Sequence, residues 1–362
     1  MNDKKHGISS SQLAIFSISS QIGLGVLIMP AILAENIGHD GWISVCISGL
    51  ISIILICSIV KLLERYSEKN ILQINKLLYG KYFGNLVNVL MFIYIFCSTA
   101  IGLRLFVEVI QILALKRTPI IITSMLLMIV TSYLTAKGLK AICRYNFYML
   151  IPYLLLVASF WLLRKDLRFT YLMPIGEFRL SGLIESIRHN IFSYAGFELI
   201  LFIYPYVAKK QKVLRHMVYS GIFTSMFFLI ITVVTTALFG ERMIATLELP
   251  LYAAEQAIIV PVFERLDLFF LILWIPTMES SMRAYFFITY NSILGYFNRD
   301  DNNHIFLLVL VSCVIFISRI PKDYEELKLY IDYFEIASLI SMCFAVFSYL
   351  FSYVNKRGVY KR

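Results

Sequence analysis

Gln21-Ile22-Gly23-Leu24-Gly25-Val26-Leu27-Ile28-Met29-Pro30 sits at the centre of an uncharged stretch, residues 7–34, that is long enough to span a bilayer. Two glycines one residue apart and a proline five positions on are poor helix formers. Lipid offers no hydrogen bonds, so backbone that leaves the helix at membrane depth needs protein or a polar cavity to satisfy it. The stretch therefore admits two readings: a helix broken to build a binding site, or close helix packing at small residues with a proline kink.

Composition places the whole chain in the polytopic membrane class. Of 362 residues, 59% are hydrophobic and 15% charged, with a mean hydropathy of +0.76. Further uncharged stretches of membrane length are 41–60, 82–103, 118–136, 145–163, 217–240, 302–318 and 336–355. Two more candidate spans carry charge: 190–207, with Glu198, and 268–292, with Glu279 and Arg283. Ten spans result, all α-helical. An even number puts both termini on one side, and the connections on that side hold 19 lysines and arginines against 12 opposite. By the positive-inside rule both termini are expected in the cytoplasm. The net charge of +10 is then an orientation signal and a match to anionic lipid, with no nucleic-acid partner implied.

Six cysteines, at 46, 57, 97, 143, 313 and 343, lack CxxC spacing, and five histidines are scattered without ligand spacing. No disulfide, metal site or cofactor is expected. Phosphate-loop, HExxH and GxSxG motifs are absent, so no catalytic residue is assigned and the chain reads as a non-enzyme. Residues 71–78, with Ile71, Ile74, Leu77 and Leu78 at helical spacing, read as a short amphipathic helix or a solvated connector. Residues 251–260, bracketed by Pro250 and Pro261, are too short to cross and read as an outer cap.

Ten spans divide into five and five, residues 1–163 and 164–362, and an odd number per half inverts the second half. Span 6 should then be broken as span 1 is. It reads Asn190-Ile191-Phe192-Ser193-Tyr194-Ala195-Gly196-Phe197-Glu198, with small and polar residues at mid-segment. A pair of interrupted segments at corresponding positions points to a transporter-type site.

Depth ranks the charges. At about 1.5 Å per residue, Glu279 lies about 16 Å into span 8, near the midplane, with Arg283 one turn on. They read as a pair facing the bundle interior, structural or gating. Arg104 and Glu108 share the same spacing but follow 22 uncharged residues, so they are expected to snorkel to the outer interface. Glu198 follows the span-6 break by two residues and has three readings: partner of a ligand ammonium, proton acceptor, or acceptor for freed backbone N–H groups.

Ile8-Ser-Ser-Ser-Gln12 with the 21–30 motif, Lys116-Arg-Thr-Pro119, Gly138-Leu-Lys-Ala-Ile-Cys-Arg144, Ser193–Glu198, Phe263-Glu-Arg-Leu-Asp267 and Trp274 together resemble the B subunits of GerA-type spore germinant receptors. The resemblance covers essentially the whole chain. It implies the amino acid–polyamine–organocation superfamily, with a LeuT-like five-plus-five inverted repeat and discontinuous helices 1 and 6. It also implies a nutrient-sensing subunit in the inner spore membrane that works with A and C subunits.

By the same resemblance, a ligand carboxylate meets backbone at Gly23, Leu24 and Gly25. The ligand amine meets carbonyls of Ile22 and of Phe192, Ser193, Tyr194 and Ala195. Gly196, Phe197 and Trp274 complete the expected ligand site, with Tyr194, Phe197 and Trp274 as specificity candidates. Glu198, Glu279, Arg283, Arg104 and Glu108 are the candidate coupling or gating charges. Some superfamily transporters carry a lysine in span 5, but residues 145–163 have none. Thr277, Ser280 and Ser281 read either as sodium-site oxygens or as packing hydroxyls. An autonomous ion-coupled amino-acid permease is the second functional reading.

Overall fold

The computed structural model describes residues 7–258, 266–297 and 304–354. Apart from a single bridge between Ile8 and Val207, the regular structure in them is helical. Within the described residues, each stretch read as a span is helical, whole or in pieces. Span 1 is α1 (Ser10–Gln21) and α2 (Gly25–Ile37), span 2 is α3 (Gly41–Arg65), and α4 (Ile71–Tyr79) lies between spans 2 and 3. Span 3 is α5 (Lys81–Leu113), span 4 is α6 (Ile120–Ala136), and span 5 is α7 (Leu139–Tyr148) with α8 (Leu150–Ser159).

Span 6 starts with α9 (Leu180–Ser193), breaks, and resumes through a 3-10 turn (Phe197–Leu199), α10 (Ile200–Ile203) and a second 3-10 turn (Tyr204–Tyr206). Span 7 is α11 (Val213–Phe239), followed by the short α12 (Glu241–Ile244) and α13 (Pro250–Gln256). Spans 8, 9 and 10 are α14 (Leu266–Phe297), α15 (His304–Ser318) and α16 (Tyr324–Val354). Five helical runs are long and apolar enough to cross a bilayer by themselves, and three shorter apolar helices join them.

Local sequence explains the ends. Ser9 accepts from the Gln12 N–H while the Gln12 side chain accepts from Ser9 N–H, a capping box that starts α1. Asn70 and Gln73 repeat the device at α4, whose Ile71, Ile74 and Leu78 are buried, so the amphipathic-helix reading of this stretch holds. The outer-cap reading meets α13, which packs on α2 and α14 with Glu255 accepting from the Ser159 hydroxyl at 2.7 Å. Residues 259–260 of that cap, and residues 263–265 of the Phe263–Asp267 motif, lie outside the described residues.

The interruption of span 1 falls on residues 22–24, and α2 runs on through Pro30. Two expectations change. Span 6 begins at Leu180, ten residues before the start expected at Asn190, because its added charges are paired. Glu185 meets Arg188 at 3.3 Å, and His189 meets Glu335 of α16 at 2.7 Å. Arg104 is 3% exposed and turns inward on α5, pairing with Glu108 at 2.7 Å, so it does not snorkel. A helix of 33 residues carries that position past the midplane while still inside the helix packing.

Spans 2 and 7 pack closely through small residues. A Cβ on Gly49 of α3 would stand 2.6 Å from Ser225 Oγ of α11, and one on Gly221 of α11 would stand 3.0 Å from Ile56 of α3. Outward faces carry exposed apolar side chains such as Leu50 and Ile54 of α3, Leu86 and Leu90 of α5, and Leu308 and Phe316 of α15. That is the surface a lipid solvent selects.

Candidate functional site

The two breaks cross. Gly196, at φ +124°, lies on the end of α1: a Cβ there would come within 2.6 Å of the Ser20 carbonyl carbon and oxygen. Gly25 lies on the end of α9, its would-be Cβ 3.3 Å from Ser193 Oγ. Ser20 Oγ donates to the Gly196 carbonyl at 3.1 Å, and Ser281 Oγ of α14 donates to the Ser20 carbonyl at 2.8 Å. Tyr153 Oη of α8 reaches the Ile22 carbonyl at 3.4 Å. Spans 1, 5, 6 and 8 thus meet at one point, where unwound backbone is bonded by side chains.

Some backbone is left over. The N–H groups of Gly23, Leu24, Gly25 and Val26 make no hydrogen bond among the described residues. They lead into and open a 13-residue helix, where the macrodipole is positive. On the facing strand of chain, the carbonyls of Ser193 and Tyr194 accept none. Around these groups Leu24, Gly25, Phe192, Ser193 and Ala195 are partly open, whereas Ile22, Gly23, Tyr194, Gly196 and Phe197 are buried. Donors on one side and acceptors on the other, about a short open face, match a small zwitterion.

Glu198 holds the span-6 break together. One oxygen accepts from Gly196 N–H at 2.7 Å; the other accepts from Tyr285 Oη at 2.7 Å and Tyr94 Oη at 3.1 Å. This is the backbone-satisfying geometry among its three readings. The Glu279–Arg283 pair is closed at 3.0 Å, with Arg283 wholly buried. Glu279 also accepts from Thr131 Oγ1 of α6 at 2.8 Å, and the guanidinium lies 4.1 Å from the Tyr145 ring centroid of α7. The pair ties spans 4, 5 and 8.

Thr277 and Ser280 bond carbonyls of their own helix, and Ser281 bonds Ser20, which is the packing-hydroxyl geometry. Tyr194 turns toward α3 and α11, donating to the Val45 carbonyl at 3.2 Å and meeting Phe228 edge-on. Trp274 stacks on Phe270 and Phe227 and meets Tyr153 edge-on, an aromatic wall on the Ile22 side of the break. Ser20, Tyr153 and the Tyr94–Tyr285 clamp were not singled out from sequence, since a tyrosine in an apolar span looks like any other packing residue.

Comparison with known proteins follows the same lines. A family model described as spore germination protein matches residues 7–327. Spore germination protein B2 of Bacillus subtilis (strain 168) is 26% identical over 368 residues, covering 99% of this chain and 98% of that protein. Spore germination protein GerQB of Bacillus cereus is 23% identical over 270 residues, covering 75% of each. Among solved structures, MhsT in complex with L-phenylalanine superposes with a TM-score of 0.67 over 93% of this chain and 87% of that one, at 16% identity. That likeness shows a shared LeuT-like fold.

Proposed function

The chain belongs to the family of spore germination proteins, and from that premise we propose that it is a nutrient-sensing subunit that binds a small amino acid where helices 1 and 6 break. The observation that carries this reading is the run of four N–H groups at Gly23–Val26 without partners among the described residues, opposite the Ser193 and Tyr194 carbonyls, which likewise have none there. The ligand carboxylate takes the first set, helped by the positive end of α2, and the ammonium takes the second together with the Ile22 carbonyl. A solved neighbour of the same fold is in complex with L-phenylalanine, which supports an amino acid as the class of ligand.

Side chains beyond the backbone set choose the nutrient. Phe197 and Tyr194 brace the break from behind, and Trp274 with Tyr153 walls the site. Aromatic walls favour a small ligand such as alanine. Ligand binding draws α2 and α9 together at Gly25 and Ser193, and the movement passes along the Glu198 clamp to spans 3 and 8. The two halves, 1–163 and 164–362, are the moving units of this reading. Both termini face the cytoplasm of the spore's inner membrane, and germinant-receptor A and C subunits receive the signal.

Uptake of labelled alanine by the purified chain in liposomes tests the receptor reading against the permease reading. Saturable binding without accumulation is expected. Gradient-driven accumulation by the chain alone would establish the permease instead.

A further inference from the structure

A cavity lies away from the two breaks. It is a half-open cleft of about 610 Å³ between α4, the first turns of α5, the end of span 6 and the last turns of α14. Its volume falls within the range of ordinary ligand sites. Phe202, Ile203 and Ile288, all buried, line its inner side.

The lining has one sign of charge. Among the described residues, Lys76 is the sole lining residue charged at neutral pH, it makes no ion pair, and no aspartate or glutamate lines the cleft. Donors without partners among the described residues surround it: the carboxamides of Asn85 and Asn291 line the same space. Its apolar side continues into the lipid-facing surface, because Val89, 53% exposed, belongs both to the lining and to the outward face of α5 formed with Leu86, Leu90 and Ile93. A cationic, amide-rich mouth at the level of an amphipathic surface helix, open sideways to acyl chains, has the layout of a phospholipid site.

We propose that this cleft holds the headgroup of an anionic phospholipid, its phosphate on Lys76, Asn85 and Asn291 and its acyl chains along Val89 and the α5 face. The assignment of the lipid to the cytoplasmic leaflet rests on the topology proposed above. Phe202 and Ile203 belong to the second half of broken span 6, so a bound lipid braces that half against α5 and α14. Membrane composition would thereby act on the sensing break.

The test is native mass spectrometry of the full chain, delipidated in detergent and re-exposed to phosphatidylglycerol or phosphatidylcholine. One retained phosphatidylglycerol, preferred by about fivefold as one surface lysine warrants, is expected. Lys76→Gln should lose the preference and Lys76→Arg should keep it, with inorganic phosphate failing to displace the lipid. Equal retention of both lipids by the wild type, an undiminished preference in Lys76→Gln, or displacement by inorganic phosphate would each overturn the proposal. Alanine binding measured on the same samples reads the two-break site separately, so failure of one assignment does not mask the other.

Discussion

Removing either charge of the Glu279–Arg283 pair should cost more than removing both. The two groups are 3.0 Å apart, with side chains 6% and 0% exposed, so neither can be rehydrated in place. Arg283→Gln leaves Glu279 with the Thr131 hydroxyl alone, and Glu279→Gln leaves a buried guanidinium with the Tyr145 ring face. Breaking a buried pair this way costs about 3–5 kcal/mol. The double variant Glu279→Gln/Arg283→Gln buries two neutral amides that can bond one another, so its loss should be smaller than that of either single, a shortfall from the summed singles of at least about 3 kcal/mol. Reversible unfolding of the reconstituted chain in a denaturing detergent series reads this as a coupling energy. Additive single effects would refute the pairing argument.

Three further outcomes follow from the geometry. Gly196→Ala should lower folded yield sharply, by about 3 kcal/mol or more, since φ +124° strains any side chain and the new Cβ meets Ser20 backbone. A fluorescence-detected size-exclusion profile like wild type would contradict that. Glu198→Gln keeps one acceptor for three donors and should cost about 1–3 kcal/mol, with hydrogen exchange rising at Gly196, whereas unchanged exchange would remove its clamping role.

At the end read as outer, His39 Nδ1 meets Glu241 at 2.7 Å. Burial lowers the His39 pKa, but the Glu241 bond, the Pro174 carbonyl and the Asp40 and Glu241 charges outweigh it, and the value sits above 6.5. The His39 bond holds Glu241 below its ordinary 4.5. The latch is therefore complete between about pH 4.5 and 6.5, weakens as pH rises through the raised histidine value, and weakens as pH falls through the lowered glutamate value. Melting temperature against pH should show this loss above pH 6.5 in wild type and none in His39→Gln; parallel curves would exclude the latch.

Much of the fold was legible because a bilayer imposes simple rules on a chain. Length with little or no charge located the spans; two glycines marked the break in span 1, and Gly196 among small and polar residues marked the break in span 6. Span 6 was misjudged where polar residues are locally expensive but tertiary partners cancel the cost: Glu185, Arg188 and His189 look like loop until Glu335, 146 residues away, meets His189. Arg104 was misplaced for the same reason, since one helix cannot reveal which of its faces meets protein. Glycines report backbone demands directly, whereas the orientation of Tyr94, Tyr153, Tyr194 and Tyr285 is set by neighbours far along the sequence.

Binding of L-alanine to the purified chain, wild type against Gly25→Ala, tests the central claim most directly. Gly25 needs no unusual φ, and its added methyl has Ser193 as its nearest neighbour, Oγ at 3.3 Å and Cα at 3.6 Å, so the variant should stay within about 1 kcal/mol of wild-type stability. The same methyl stands at the first turn of α2, where the carboxylate must reach bare N–H groups. Isothermal calorimetry should find saturable binding in wild type and none in a Gly25→Ala protein of matching stability. Equal affinity in the two would contradict a ligand held by backbone at the broken helices.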